Sequence, residues 1–217
     1  MISSGHSYIH HTLKGTRKKE NGDNYLIIEK ETYLLLAIFE GVDGAINSNK
    51  ANLLAMTFIE LHHDDFLSKE IRLDRLMYEC NRYILDRNVP QSYTGYSIVL
   101  VANDPLKATY FSCMGNPRIY AVMDQNIKDI TKRTVANSIP GYLGANTLTE
   151  NDFQQDRVML PTNTLLLCTN GFYSVLEKSP SQFCDILNKK NMKTIKDDLL
   201  TATGNKNKDD ATYILIK

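Results

Sequence analysis

Apolar residues change texture twice along this chain. From Thr32 to Phe39 (TYLLLAIF) they run without interruption until Glu40-Gly41, a length and a glycine stop that predict a buried central strand. Between Asn47 and about His63 they recur at helical intervals, as Leu53, Leu54, Met56, Phe58, Ile59 and Leu61. A second helical pattern from about Lys69 to Asp86 sets Ile71, Leu73, Leu76, Met77, Tyr83 and Ile84 on one broad face. Asn88-Val-Pro-Gln-Ser then reads as a loop.

Beyond Tyr96 the pattern becomes that of strands. Ser97–Ala102, Ala108–Cys113 and Arg118–Met123 are short apolar runs separated by Asn-Asp-Pro and Gly-Asn-Pro turns, which predicts an antiparallel meander. Thr131–Asn151, with Pro140, Gly141 and Gly144, is loop-like. A strand at Thr164–Cys168 stops at Thr-Asn-Gly, helices follow near Pro180–Lys189 and Met192–Thr203, and Ala211–Ile216 is a final strand. The order predicts an α+β fold of one domain over residues 1–217, with helices covering antiparallel sheet.

Charge and composition narrow the function classes. The 217 residues carry 25 Lys and Arg against 25 Asp and Glu, so no overall positive field favours nucleic acid as a partner. No apolar run approaches the roughly 20 residues that cross a bilayer. The opening MISSGHSYIHHTLKG lacks the apolar centre of a secretory signal. A cytoplasmic protein with no membrane partner is the expectation. Cys80, Cys113, Cys168 and Cys184 form no C-x-x-C pair, and Cys113 and Cys168 sit in apolar runs where a thiol serves as a small buried hydrophobe.

Candidate chemistry lies at the strand ends. Asp23 precedes an early strand, Glu40-Gly41 ends TYLLLAIF, Asn170-Gly171 ends TLLLC, and Asp209-Asp210 precedes the last strand. If these ends meet, an oxygen-only set of three carboxylates and one amide suits Mg²⁺ or Mn²⁺. The same residue types are also ordinary turn chemistry.

Six ordered segments tie these ends to a known pattern. They are Asn21–Asp23 (NGD), Ala37–Ala45 (AIFEGVDGA), Gly95–Ser97 (GYS), Gly115–Tyr120 (GNPRIY), Leu167–Leu176 (LCTNGFYSVL) and Asp209–Ile216 (DDATYILI). The series resembles the type 2C, or PPM, family of metal-dependent protein serine/threonine phosphatases over nearly the whole chain. The resemblance implies a four-layer αββα sandwich, two antiparallel sheets flanked by helices. It also implies a binuclear Mn²⁺ or Mg²⁺ centre at one end of the sandwich, where activated water attacks a phosphoserine or phosphothreonine phosphorus in line.

Carried over residue by residue, the resemblance implies metal-binding roles for Asp23, Glu40, Gly41, Asn170 and Asp209, with Asp23, Glu40 and Asp209 as the catalytic acids. Lys18 matches the family's phosphate-binding Arg, with Arg17 adjacent; a lysine is a point charge, not a bidentate fork. The departures share a direction. Glu40 replaces the metal-bridging Asp, Asn170 the metal-binding Asp, Asn116 the Asp tied to a third metal, and Ser174 another nearby acid. A three-residue shift offers a different bridging residue, Asp43 of Asp43-Gly44, and carries the strand through Glu40-Gly41. The segment from Thr131 to Gly144 is too short for the flap that borders the site in many members, so a shortened or absent flap is expected.

Two functions follow. One is a pseudophosphatase, a regulatory or phosphoprotein-binding module whose acidic cleft holds one cation or none, with Lys18, Arg17 and Arg118 facing a phosphorylated or regulatory protein partner. The other is an active Mn²⁺- or Mg²⁺-dependent serine/threonine phosphatase with a remodelled site. His62-His63-Asp64-Asp65 reads as the polar end of a helix running into a loop rather than a metal site. Lys14–Lys19 (KGTRKK) and Asn205–Asp210 (NKNKDD) read as solvated loops, with phosphate contact the specific alternative for the first.

Overall fold

A computed structural model describes residues 6–103, 108–131, 141–158 and 164–217. Among the described residues, ten strands and five α-helices follow in chain order: β1 (Tyr8–Leu13), β2 (Asp23–Glu29), β3 (Tyr33–Gly41), α1 (Ser48–Leu67), α2 (Leu73–Asp86), β4 (Thr94–Ala102), β5 (Thr109–Met114), β6 (Arg118–Met123), β7 (Asn126–Asp129), β8 (Asp156–Val158), β9 (Leu165–Cys168), α3 (Asn170–Leu176), α4 (Pro180–Leu187), α5 (Met192–Thr203) and β10 (Ala211–Ile216). They build two five-stranded sheets, ordered β2-β3-β4-β5-β8 and β1-β10-β9-β6-β7. Every ladder in both is antiparallel.

Three apolar layers account for the stacking. On β3 the side chains alternate: Leu34, Leu36 and Ile38 meet Ile119, Leu165, Leu167, Ile214 and Ile216 of the other sheet. Leu35, Ala37 and Phe39 turn the opposite way, onto α1 and α2. The second sheet does the same, with Leu166, Cys168, Tyr213 and Leu215 against Phe172, Phe183, Ile195 and Leu199 of α3–α5. A strand buried on both faces needs no polar alternation, which is why TYLLLAIF and ATYILI are unbroken. The result is the α+β sandwich, helices on both outer faces.

The meander breaks at its second turn. β4 and β5 pair as expected, but β6 pairs with β7 and β9 in the opposite sheet. Gly115 sits at φ +83°, and a Cβ there would lie 3.0 Å from the Gly95 Cα. That left-handed step, followed by Asn116-Pro117, lifts the chain from one sheet to the other.

The first helix pattern also needs correcting in part. On α1 the buried positions are Ala51, Asn52, Ala55, Phe58, Ile59, His63 and Leu67, while Leu53 and Leu61 are exposed. Small alanines let the helix approach β2 and β3 closely. His62 to Asp65 stay inside α1, where Tyr33 donates its hydroxyl to Asp64 Oδ1 at 2.9 Å and lies 2.6 Å from His63 Nδ1. One hydroxyl proton serves only one of them, so His63 Nδ1–H donates to Tyr33 and the group staples α1 to β3. The expected shortened flap falls largely in 132–140, outside the described residues.

Candidate functional site

Strand parity places the acids. Glu40 continues the interior row of Leu34, Leu36 and Ile38, and β2–β3 register sets Asp23 opposite it. Both are buried, each 6% exposed. Thr169 extends the interior row of Leu165 and Leu167, and its hydroxyl donates to Asp23 Oδ2 at 2.7 Å while accepting from the Thr212 N–H at 2.9 Å.

Backbone contacts bring the remaining pieces in. α3 starts at Asn170 directly after β9, and Gly171 lies so close to β10's entry that a Cβ would fall 2.3 Å from the Asp210 carbonyl oxygen. Asn170 and Asp209 therefore share one rim. Asp210 is a structural carboxylate: Oδ1 accepts from Gly15 N–H and Oδ2 from Gly22 N–H, both at 2.7 Å. The Gly22 carbonyl accepts from Gly41 N–H at 3.2 Å and from the buried Asn52 amide at 2.6 Å.

A cleft of about 270 Å³ results, lined by Lys18, Asp23, Glu40, Gly41, Asn170 and Asp209 together with loop residues 42–46. All five sequence-assigned metal positions and Lys18 thus face one space; Arg17 does not line it. Asn116 borders a neighbouring hollow with Arg118, Asp129 and Tyr173, and its side-chain amide reaches Glu40. Arg118 pairs with Glu177 and Asp129 and stacks 3.8 Å over the Tyr173 ring. Asp43 is exposed and pairs with Lys18. β3 does run through Glu40-Gly41, but register makes Glu40, not Asp43, the neighbour of Asp23. Sequence reasoning missed Thr169 and Asn52 and assigned no role to Asp210, which it placed only as a strand-end acid; Thr169 and Asp210 share parity with recognisable interior rows.

The electrostatics are those of acids short of positive charge. Burial is the largest cause pushing Glu40 up to about 7; the Asn170 backbone N–H and the Asn116 amide oppose it. Asp23 is raised well above the carboxylate range, chiefly by burial, with the Thr169 hydroxyl opposing and the Glu40 and Asp210 charges adding. Lys18 is raised, first by its hydrogen bond to Asp43. Its ammonium also lies 3.6 Å from Asp209 Oδ1.

Fit to a divalent cation is partial. Glu40 Oε2 is buried without a hydrogen-bond partner, and with Asp23 and the Gly41 carbonyl it suits one hard ion. Among the described residues no group of three or more His, Cys, Asp or Glu side chains is placed to hold a metal. Asp209, the third acid, is beside Lys18 instead.

No family model and no curated protein matches the sequence. Solved structures do match the fold. A bacterial serine phosphatase aligns with TM-score 0.78 at 18% identity over 98% of each chain. Stp1, a serine/threonine phosphatase from Staphylococcus aureus, aligns with TM-score 0.74 at 16% identity over 96% of this chain and 93% of that one. RsbX in complex with magnesium aligns with TM-score 0.70 at 16% identity over 97% and 94%. Among the described residues no helix is long and apolar enough to cross a membrane. This chain has the type 2C, PPM-like fold of bacterial serine/threonine phosphatases.

Proposed function

We propose that the chain is a pseudophosphatase: a type 2C-like fold retained as a regulatory or phosphoprotein-binding module with little or no hydrolysis. One observation carries this reading. The buried Asp23–Glu40 pair is bonded by the chain's own donors, the Asn116 amide, the Asn170 N–H and the Thr169 hydroxyl, while the neighbouring acids are already engaged, Asp210 by the Gly15 and Gly22 N–H groups and Asp209 beside the Lys18 ammonium. Two of those donors sit at positions where the family pattern has Asp. Each lost carboxylate weakens attraction for a divalent ion, whose affinity follows ligand charge. Lys18 supplies a fixed positive charge at Asp209 and offers a point contact for a phosphoryl group on a phosphoserine or phosphothreonine protein.

A second reading, an active Mn²⁺- or Mg²⁺-dependent phosphatase, draws on the unpartnered Glu40 Oε2 and on the magnesium named with RsbX. A bound ion there would acidify water and neutralise phosphoryl oxygens. In that case Asp23 and Glu40 orient the ion, and Lys18 positions the phosphoryl group.

Hydrolysis of p-nitrophenyl phosphate and of a phosphothreonine peptide, with Mn²⁺, Mg²⁺ or EDTA, separates the two. The proposal expects no cation-dependent turnover in the native chain and any gain only in Asn170→Asp. Turnover that requires metal and disappears in Asp209→Ala overturns it.

A further inference from the structure

Two basic loops that are separate in sequence form one surface in the fold. Residues 14–19 lie along residues 205–209: Thr16 N–H donates to the Asn207 carbonyl at 3.1 Å and Arg17 N–H to the Lys208 carbonyl at 3.2 Å. The Asn207 amide returns a bond to the Lys14 carbonyl at 3.2 Å. Gly15 is wedged so tightly that a Cβ would fall 2.5 Å from the Lys208 carbonyl oxygen. Its N–H is held by Asp210.

This stapling gathers Lys14, Arg17, Lys19, Lys206 and Lys208, all exposed. Among the described residues none of the five is recorded in an ion pair. Lys14 Nζ donates only to the Lys18 carbonyl, at 3.1 Å. The acids nearby are Glu20, Asp43 and Asp209, and the last two are engaged by Lys18. In a chain with no net charge, such a cluster is a local positive field, and a backbone already fixed lowers the ordering cost of binding. Both loops meet the cleft, through Lys18 on one and Asp209 on the other.

We propose that these stapled loops are a docking platform for acidic residues flanking the phosphorylated residue of a partner polypeptide. The proposal rests on the phosphoprotein reading of the cleft and adds a sequence preference to it. KGTRKK and NKNKD contain no aromatic side chain on which bases would stack and no apolar side chain to enter a bilayer. A peptide bearing Asp, Glu or further phosphates matches what they offer, one charge per Lys or Arg.

Fluorescence anisotropy on the full chain tests this with three labelled phosphothreonine peptides whose flanks are acidic, alanine or basic. The acidic flanks are expected to bind about tenfold tighter than alanine flanks at low salt, an advantage that 0.5 M salt removes through screening. Arg17→Glu/Lys206→Glu/Lys208→Glu should abolish the preference, while Lys178→Glu/Lys193→Glu/Lys50→Glu, with the same change in net charge elsewhere, should keep it. Indifference to the flanks, equal loss in both triple variants, or tighter binding of a single-stranded oligonucleotide or an anionic vesicle overturns the proposal. An unphosphorylated acidic peptide separates it from the underlying reading. If that peptide binds as well as its phosphorylated form, the platform stands and the phosphoprotein reading of the cleft falls.

Discussion

Asp23 stands directly across the β2–β3 ladder from Glu40, so two acids from different strands are buried side by side at one end of the sandwich. Burial is the main cause that raises the pKa of each, and at Asp23 the Glu40 charge adds to it.

That relationship sets a pH dependence. Glu40 rises from an ordinary 4.5 to about 7 in the folded chain, so between those values the folded state keeps a proton that the unfolded state has lost. Glu40's contribution to stability is therefore fully present below about pH 4.5, falls through the interval and is lost above about 7. Glu40→Gln should unfold like the parent at pH 4 and be more stable at pH 8 by about 1–3 kcal/mol. Urea melts in EDTA at the two pH values measure this. Equal stability of the two chains at pH 8 would show that Glu40 is not held against its charge.

Thr169 is the support beneath the pair, bonding Asp23 and receiving the Thr212 N–H. Thr169→Val leaves a buried carboxyl and a buried amide without that partner and should cost about 1–3 kcal/mol. Thr169→Ser, which keeps the hydroxyl, should recover most of the loss. A valine variant as stable as the parent would remove Thr169 from the site's framework.

Gly171 makes a sharper test because two effects oppose. In a helix, alanine is favoured over glycine by about 1 kcal/mol. Here the added Cβ meets the Asp210 and Asp209 carbonyl oxygens at 2.3 and 2.4 Å, and backbone atoms cannot step aside without moving the cleft rim. Overpacking of this kind costs about 1–3 kcal/mol, so Gly171→Ala should be net destabilising in chemical denaturation. A stabilised variant would mean that α3 and β10 are not in close contact.

How much of this was legible depended on where apolar side chains declare themselves. β3, β9 and β10 are buried on both faces and stand out as continuous runs, and with them came Glu40, Asn170 and Asp209 at their ends. β1 was hidden because His10 and His11 interrupt its alternation, although His10 packs 4.5 Å from the Tyr25 ring. The short edge strands β7 (NIKD) and β8 (DRV) bury too little to leave a pattern. α3 was hidden by Asn170-Gly171, which reads as a turn until the close approach to β10 explains the glycine. On α1, Phe58 and Ile59 marked the buried face correctly, but Leu53 and Leu61 are exposed and Ala51, Asn52, Ala55 and His63, which carry little apolar signal, complete it. KGTRKK and NKNKDD were each visible as charged loops, but their pairing was not, since it arises from backbone bonds between segments 191 residues apart, as at Thr16 and Asn207.

Lys18 stands where an incoming cation would meet it. Its ammonium is bonded to Asp43 and lies 3.6 Å from Asp209 Oδ1, so a divalent ion approaching Asp209 meets a like charge. Removing that charge with Lys18→Met keeps the aliphatic stem and should tighten Mn²⁺ binding, by about tenfold if the repulsion is near 1.4 kcal/mol at a partly exposed site. Asn170→Asp adds a carboxylate to the same rim and should act in the same direction. Because the two positions share Asp209 as a neighbour, the double variant should depart from simple additivity. Isothermal titration of the metal-free protein with Mn²⁺ measures affinity and stoichiometry without reference to turnover. Native binding of at most one ion, rising in the variants, is the expected result. Two tight ions in the native chain, or unchanged affinity in Lys18→Met, would show that the lysine does not limit the cleft, and the case for a dismantled metal centre would fall with it.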